Sequence, residues 1–137
     1  MRVVLDTNVI VSALLYGGKP KRIMDLATKG TILAITSEVL LKELASTLYR
    51  LSQKYQYNDF DIAAALQHIA AWSDIVEPKI PISALADDPD NRVLEAAVTG
   101  SCGWVITGDK RFLELGTYKD IKIVTVSNFL EELKHEK

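Results

Sequence analysis

Arg2-Val3-Val4-Leu5-Asp6-Thr7-Asn8-Val9-Ile10-Val11-Ser12-Ala13-Leu14-Leu15-Tyr16-Gly17-Gly18 is the stretch whose reading decides the rest. Arg2 to Leu5 is a short apolar run and reads as a buried strand. Asn8 to Leu15 changes to helix-like spacing, and Gly17-Gly18 stops it. Asp6 stands at the junction. A carboxylate right after a buried strand lies where open α/β sheets place their ligand crevice, beyond the carboxyl ends of the strands.

The same alternation continues down the chain. Pro20 suits a first helical position and Gly30 a C′ position, which predicts a helix over Pro20 to Lys29. Thr31 to Thr36 reads as a second strand. Ser37 can cap the next helix, whose apolar stripe is Leu40, Leu44, Leu48 and Leu51, with Leu41 beside it. Asn58 is placed to cap another, with Ile62, Leu66 and Ile69 inward. Ser73 to Pro81 reads as irregular, with a short strand at Ile75-Val76. An acidic turn, Asp87-Asp88-Pro89-Asp90-Asn91, leads into a helix with Val93, Leu94, Ala97 and Val98 apolar, ending near Gly100. Trp104 to Thr107 is a strand, Lys110 to Leu115 a short helix and Ile121 to Val126 a last strand. Ser127 is the expected cap of a final helix that turns Phe129, Leu130 and Leu133 inward. Continuously apolar strands alternating with helices predict a parallel sheet covered on both faces, an α/β domain. No repeat, linker or low-complexity segment divides residues 1–137, so one domain is expected.

Composition narrows the function. A net charge of −2 and a pI near 5.7 argue against binding nucleic acid through overall charge. They do not exclude a nuclease, because a carboxylate site itself lowers the charge and bound cations restore attraction for phosphate. Cys102 is the only cysteine, so no internal disulfide is possible, which suits a reducing compartment. Asp6 and Asn8 interrupt the apolar N-terminus, and no small-residue cleavage site follows, against a signal peptide. No apolar run approaches the roughly 20 residues of a membrane span. A cytoplasmic protein with no membrane association is expected.

Four acids fall where such a fold can gather them. Asp6 follows the first strand, and Glu43 lies in the helix after the second. Asp90 begins the helix before Trp104 to Thr107, and Asp109 is two residues past that strand. Carboxylates held together repel one another and need a cation to stay ionised. Oxygen ligands select Mg²⁺ or Mn²⁺, and no His or Cys set has zinc spacing. Such a cation would activate water for attack and offset charge on the leaving oxygen. Each acid also has a plainer reading. Asp6 and Asp109 suit helix caps. Glu43 suits a surface charge, although it lacks the i+4 partner that Lys42 gives Glu38. One or two of Asp87, Asp88 and Asp90 belong to the turn itself.

Taken in order, these segments resemble the PIN-domain family. Leu5-Asp6-Thr7-Asn8-Val9 looks like its opening motif, and Ser37 followed by Glu43 like its second. Asp88-Pro89-Asp90-Asn91 running into Arg92 looks like the third, and Val105-Ile106-Thr107-Gly108-Asp109 like the fourth. The Thr-Gly-Asp-Lys form is similar to the subgroup of toxin components of toxin–antitoxin systems (VapC-like). The resemblance implies a three-layer α/β/α domain with a central parallel β-sheet, and metal-dependent cleavage of single-stranded RNA. It implies Asp6, Glu43, Asp90 and Asp109 as the acidic quartet, supported by Thr7, Asn8, Ser37 and Thr107. It implies a homodimer and a cognate antitoxin protein. Many relatives space the third and fourth acids by 18 residues; here that position is Asn91, and Asp90 stands 19 before Asp109. Either the turn is phased to use Asp90, or the third place holds an amide.

Basic and aromatic groups offer routes to hold RNA: Tyr49-Arg50 with Lys54-Tyr55 and Tyr57, then Lys19, Lys21 and Arg22, then Lys110-Arg111. Apolar side chains after Pro20 and in 58 to 72 suit either core or a partner groove. A catalytically impaired module that binds RNA or protein is the competing reading, and the Asn91 position is its support. A phosphatase of the haloacid dehalogenase type would want Asp-x-Asp where Asp6-Thr7-Asn8 stands. A receiver domain would want paired early acids. No Gly-rich phosphate loop is present.

Overall fold

The computed structural model describes residues 1–55 and 59–135. In chain order the elements are β1 (Arg2–Leu5), α1 (Thr7–Tyr16), α2 (Gly18–Thr28), β2 (Leu33–Ser37), α3 (Glu38–Tyr55), α4 (Asp59–Trp72), β3 (Ser73–Val76), α5 (Asp88–Thr99), β4 (Trp104–Ile106), α6 (Lys110–Leu115), β5 (Thr117–Tyr118), β6 (Ile121–Val124) and α7 (Val126–His135). The six strands form one sheet in the order β3-β2-β1-β4-β6-β5. All pairs are parallel except β5 with β6.

The strands are short and apolar because helices cover both of their faces. Alternate residues serve opposite cores. Val3, Leu5, Trp104 and Ile106 face a core built with Val9, Ile10, Ile23, Leu44, Ile69 and Phe129, from α1, α2, α3, α4 and α7. Val4, Ile35, Val105 and Ile123 face a second core with Val93, Leu94, Ala97 and Phe112, from α5 and α6. This is the expected three-layer α/β/α arrangement. Ile23, Met24, Ala27, Ile62 and Ile69 are buried, so these residues of α2 and α4 supply core, while Leu26 and Leu66 are only partly buried against it.

Some local expectations change. Pro20 lies in the first turn of α2 but not at its first position, since the helix begins at Gly18. The irregular stretch after Trp72 opens with a full edge strand, β3. The predicted strand over Ile121 to Val126 ends at Val124, because Thr125 rather than Ser127 caps α7: the Asn128 N–H donates to Thr125 Oγ1 at 3.0 Å. Ser127 Oγ instead accepts from Lys19 Nζ at 3.3 Å. Val98 is 36% exposed, whereas Glu95, on the apolar stripe, is buried. The Asn58 cap and the Tyr57 side of the aromatic group lie outside the described residues. Gly100 allows a close helix–sheet approach: a Cβ there would meet Ile35 Cγ2 at 2.6 Å.

Between β1 and β4 the chain order reverses direction across the sheet, since β2 and β3 lie on one side and β6 and β5 on the other. Loops leaving two adjacent strands there turn to opposite faces and open a crevice at their carboxyl ends.

Candidate metal centre

Asp6 leaves β1 at that crevice. Its N–H donates to the Ile106 carbonyl of β4 at 2.9 Å, so the backbone stays in the sheet while the side chain turns outward. As N-cap of α1 it accepts from the Thr7 N–H at 2.8 Å. Its other oxygen accepts from Thr107 Oγ1 at 2.7 Å and Asn8 Nδ2 at 3.2 Å. The cap reading of Asp6 is therefore correct, and it does not compete with a place in the site. Burial raises the Asp6 pKa, helped by the charge of Asp109, and these three hydrogen bonds oppose the rise.

Thr107, fully buried at the end of β4, links two acids: it donates to Asp6 and accepts from the Asp109 N–H at 3.1 Å. Asn8 adds a second link, because its Oδ1 accepts from the Gly108 N–H at 3.1 Å. Asp109 caps α6, accepting from the Arg111 N–H at 3.0 Å. Ser37, also buried, accepts from the Leu40 N–H at 3.3 Å and so fixes the start of α3, which carries Glu43. Thr7 is buried and contributes its backbone N–H.

Asp90 is 6% exposed at the first turn of α5. Its pKa is pushed up to about 7, first by burial, then by the charges of Asp6, Asp87 and Asp109, and by a hydrogen bond with Asp109. Glu43 is half-buried, and its pKa rises through burial and then the charges of Asp6 and Asp87. All four expected acids thus act on a common field.

The tightest group differs from the expected quartet. Carboxylate oxygens of Asp87, Asp90 and Asp109 lie within 4.8 Å of one another. Oxygens sharing one Mg²⁺ at about 2.1 Å are at most about 4.2 Å apart, so slight side-chain rotation suffices. Three hard oxygen donors, one buried among like charges, fit a divalent cation. Asp87 occupies the N-cap position of α5 without making a side-chain cap bond, which leaves its carboxylate for the cluster. Sequence reading left it among three acids of which one or two belong to the turn; the signal that could have singled it out is its place as the residue before the helix, three before Asp90. Asn91 is 1% exposed and faces away from the cluster, with Oδ1 accepting from the Leu85 N–H and Nδ2 donating to the Leu85 carbonyl, both at 2.9 Å.

The family model of the PIN domain matches residues 2–111. The uncharacterized protein MJ1680 of Methanocaldococcus jannaschii is 33% identical over 144 residues, covering 98% of this chain and 92% of that protein. VapBC2 from Rickettsia felis, solved bound to a DNA fragment from their promoter, has a similar fold: TM-score 0.63 at 14% identity, over 91% of this chain and 98% of that one. PAE2754 from Pyrobaculum aerophilum gives 0.65 at 12% identity, over 99% and 91%. At such identities the two structures speak to the fold alone. The family match spans β1 through the start of α6, so it takes in both strands that flank the crevice and every acid in it: this chain belongs to the PIN domain family.

Proposed function

We propose that this protein is a Mg²⁺- or Mn²⁺-dependent ribonuclease that cleaves single-stranded RNA in the cytoplasm, as the toxin of a type II toxin–antitoxin pair. The observation that carries the reading is the approach of Asp87, Asp90 and Asp109 to within 4.8 Å at the topological switch of the sheet. A bound cation would polarise the scissile phosphodiester, lower the pKa of an attacking water and offset charge on the leaving oxygen. Asp87, Asp90 and Asp109 would hold it, with Asp6 and Glu43 completing the negative field. A two-metal form needs ions about 4 Å apart, and Asp6 with Glu43 is the pair for the second.

The remaining residues orient these groups. Thr107 and Asn8 tie the Asp6 loop to the Asp109 loop. Lys110 and Arg111 are exposed and follow Asp109 directly, and are candidates to contact a phosphate beside the cluster. The impaired-module alternative rested on an amide at the third position. With Asn91 engaged by Leu85, Asp90 is the residue facing Asp109, which supports the catalytic reading. The toxin role, the antitoxin and the homodimer follow from the resemblance to toxin-type members.

Labelled single-stranded RNA, duplex RNA and single-stranded DNA, each incubated with Mg²⁺, Mn²⁺ or EDTA, test the substrate class. Cleavage of the first alone, abolished by EDTA, is expected; equal cleavage of DNA would reject RNA specificity. Growth arrest on expression, relieved by a co-expressed small neighbouring gene product, tests the toxin role. Growth unaffected by an active nuclease would reject it.

A further inference from the structure

We propose that Asn91 is a positioning residue: by gripping the backbone of Leu85 it fixes the strap at 82–87, and with it the Asp87 carboxylate, in the acidic cluster before any cation arrives. The inference rests on the metal-site reading above and extends it to a residue that does not face the metal site.

The strap has no regular secondary structure, so its polar groups need partners from elsewhere. Side chains of α5 supply them. Asn91 pairs with Leu85 in both directions, as a neighbouring strand would, at 2.9 Å each way. Glu95 Oε2 accepts from the Ile82 N–H at 2.9 Å, and Arg92 Nη2 donates to the Ile82 carbonyl at 3.3 Å. Arg92 and Glu95 pair with each other at 2.9 Å. Ile82 itself is buried in the second core. The Asn91 N–H also donates to the Asp87 carbonyl at 3.4 Å. The Asn91 side chain therefore holds the strap at two backbone points, both on Leu85, and the α5 backbone adds the one on Asp87.

The need for a clamp follows from charge. Asp87 is exposed and makes no cap bond of its own. Without a cation, like charges on Asp90 and Asp109 push it toward solvent. Only Ala86 separates the gripped Leu85 from Asp87, a reach of about 7 Å at full extension. Fixing Leu85 and the Asp87 carbonyl confines where that carboxylate can go. Asn91 then raises cation affinity without contributing a ligand.

Mn²⁺ affinity, read by the loss of the free-ion electron paramagnetic resonance signal, tests this in wild type, Asp87→Asn, Asn91→Ala and the double variant, each checked for cooperative thermal unfolding. Each single substitution is expected to weaken binding about 10- to 100-fold, the usual cost of losing a group that orients a ligand. The double variant should bind no more weakly than Asp87→Asn, because Asn91 acts through Asp87. Wild-type affinity in Asn91→Ala, or losses that multiply in the double variant, would overturn the clamp alone. No Mn²⁺ binding by the wild type would overturn the metal reading and the clamp with it. Should Asn91→Ala not fold, amide exchange in the metal-free wild type decides: slow exchange at Ile82 and Leu85 is expected, and rapid exchange that slows only with Mn²⁺ would overturn the proposal.

Discussion

At pH 8 without a cation, Asp90 is ionised in a buried place beside the charges of Asp6, Asp87 and Asp109. Its folded-state pKa, about 7, lies above the ordinary 3.8. The folded chain therefore keeps a proton that the unfolded chain releases. Stability from this group is full below about pH 4 and is lost as pH rises through about 7. Asp90→Asn removes the charge and keeps the shape, so it should raise metal-free stability at pH 8 by on the order of 2 kcal/mol while abolishing Mn²⁺-dependent cleavage. Thermal unfolding in EDTA reads the first; a lower melting temperature would contradict it. Thr107→Val removes a donor from Asp6, buried at 2.7 Å, and an acceptor from the Asp109 N–H, part-buried at 3.1 Å. It should cost about 1–3 kcal/mol, measurable by urea unfolding, and an unchanged midpoint would count against the link. The acids themselves were legible in sequence because Asp6 and Asp109 follow strands. Asp87 was not, since three acids around one proline leave the phase of the turn open, and hydrogen bonding to Leu85 rather than spacing decides which way Asn91 faces.

α5 shows what element-level reading can and cannot see. Its stripe of Val93, Leu94 and Ala97 was plain from the 3.6 period, but Glu95 was not expected inside. Burial of Glu95 is supported by Arg92, one turn earlier on α5, and by the Ile82 N–H, a contact that comes from a loop with no periodicity. Arg92 is 34% exposed and Glu95 10%, so breaking the pair costs less than for two sealed charges. Glu95→Ala should destabilise by about 2–3 kcal/mol in urea unfolding; a cost near zero would show that water replaces the pair. Gly100→Ala tests the packing of α5 on β2. With Ile35 Cγ2 at 2.6 Å, overpacking of about 1–3 kcal/mol is expected, whereas a neutral effect would mean the helix end shifts freely. β5 escaped sequence reading because two residues carry no alternation. The α7 cap was misplaced from Thr125 to Ser127 because both residues can cap, and the strand end that chooses between them lies in the sheet register.

For the molecule as a whole, topology converts four distant sequence positions into one charged crevice. Parallel strands in the order β3-β2-β1-β4-β6 place the carboxyl ends of β1 and β4 side by side, so Asp6 and Thr107 can bond across 101 positions of sequence. The layer order was readable from continuous apolar strands alternating with helices. Which three oxygens come closest was not, because the strap that delivers Asp87 is irregular. Among the described residues no helix is long and apolar enough to cross a membrane. The most direct measurement is the rate at which purified protein cuts a labelled single-stranded RNA in Mn²⁺, beside the same protein in EDTA and beside Asp90→Asn. Cutting by the wild type in Mn²⁺ alone is expected, falling at least about 100-fold in the variant as a ligand is lost. Equal cutting by the folded variant, or cutting that persists in EDTA, would contradict the metal-dependent mechanism.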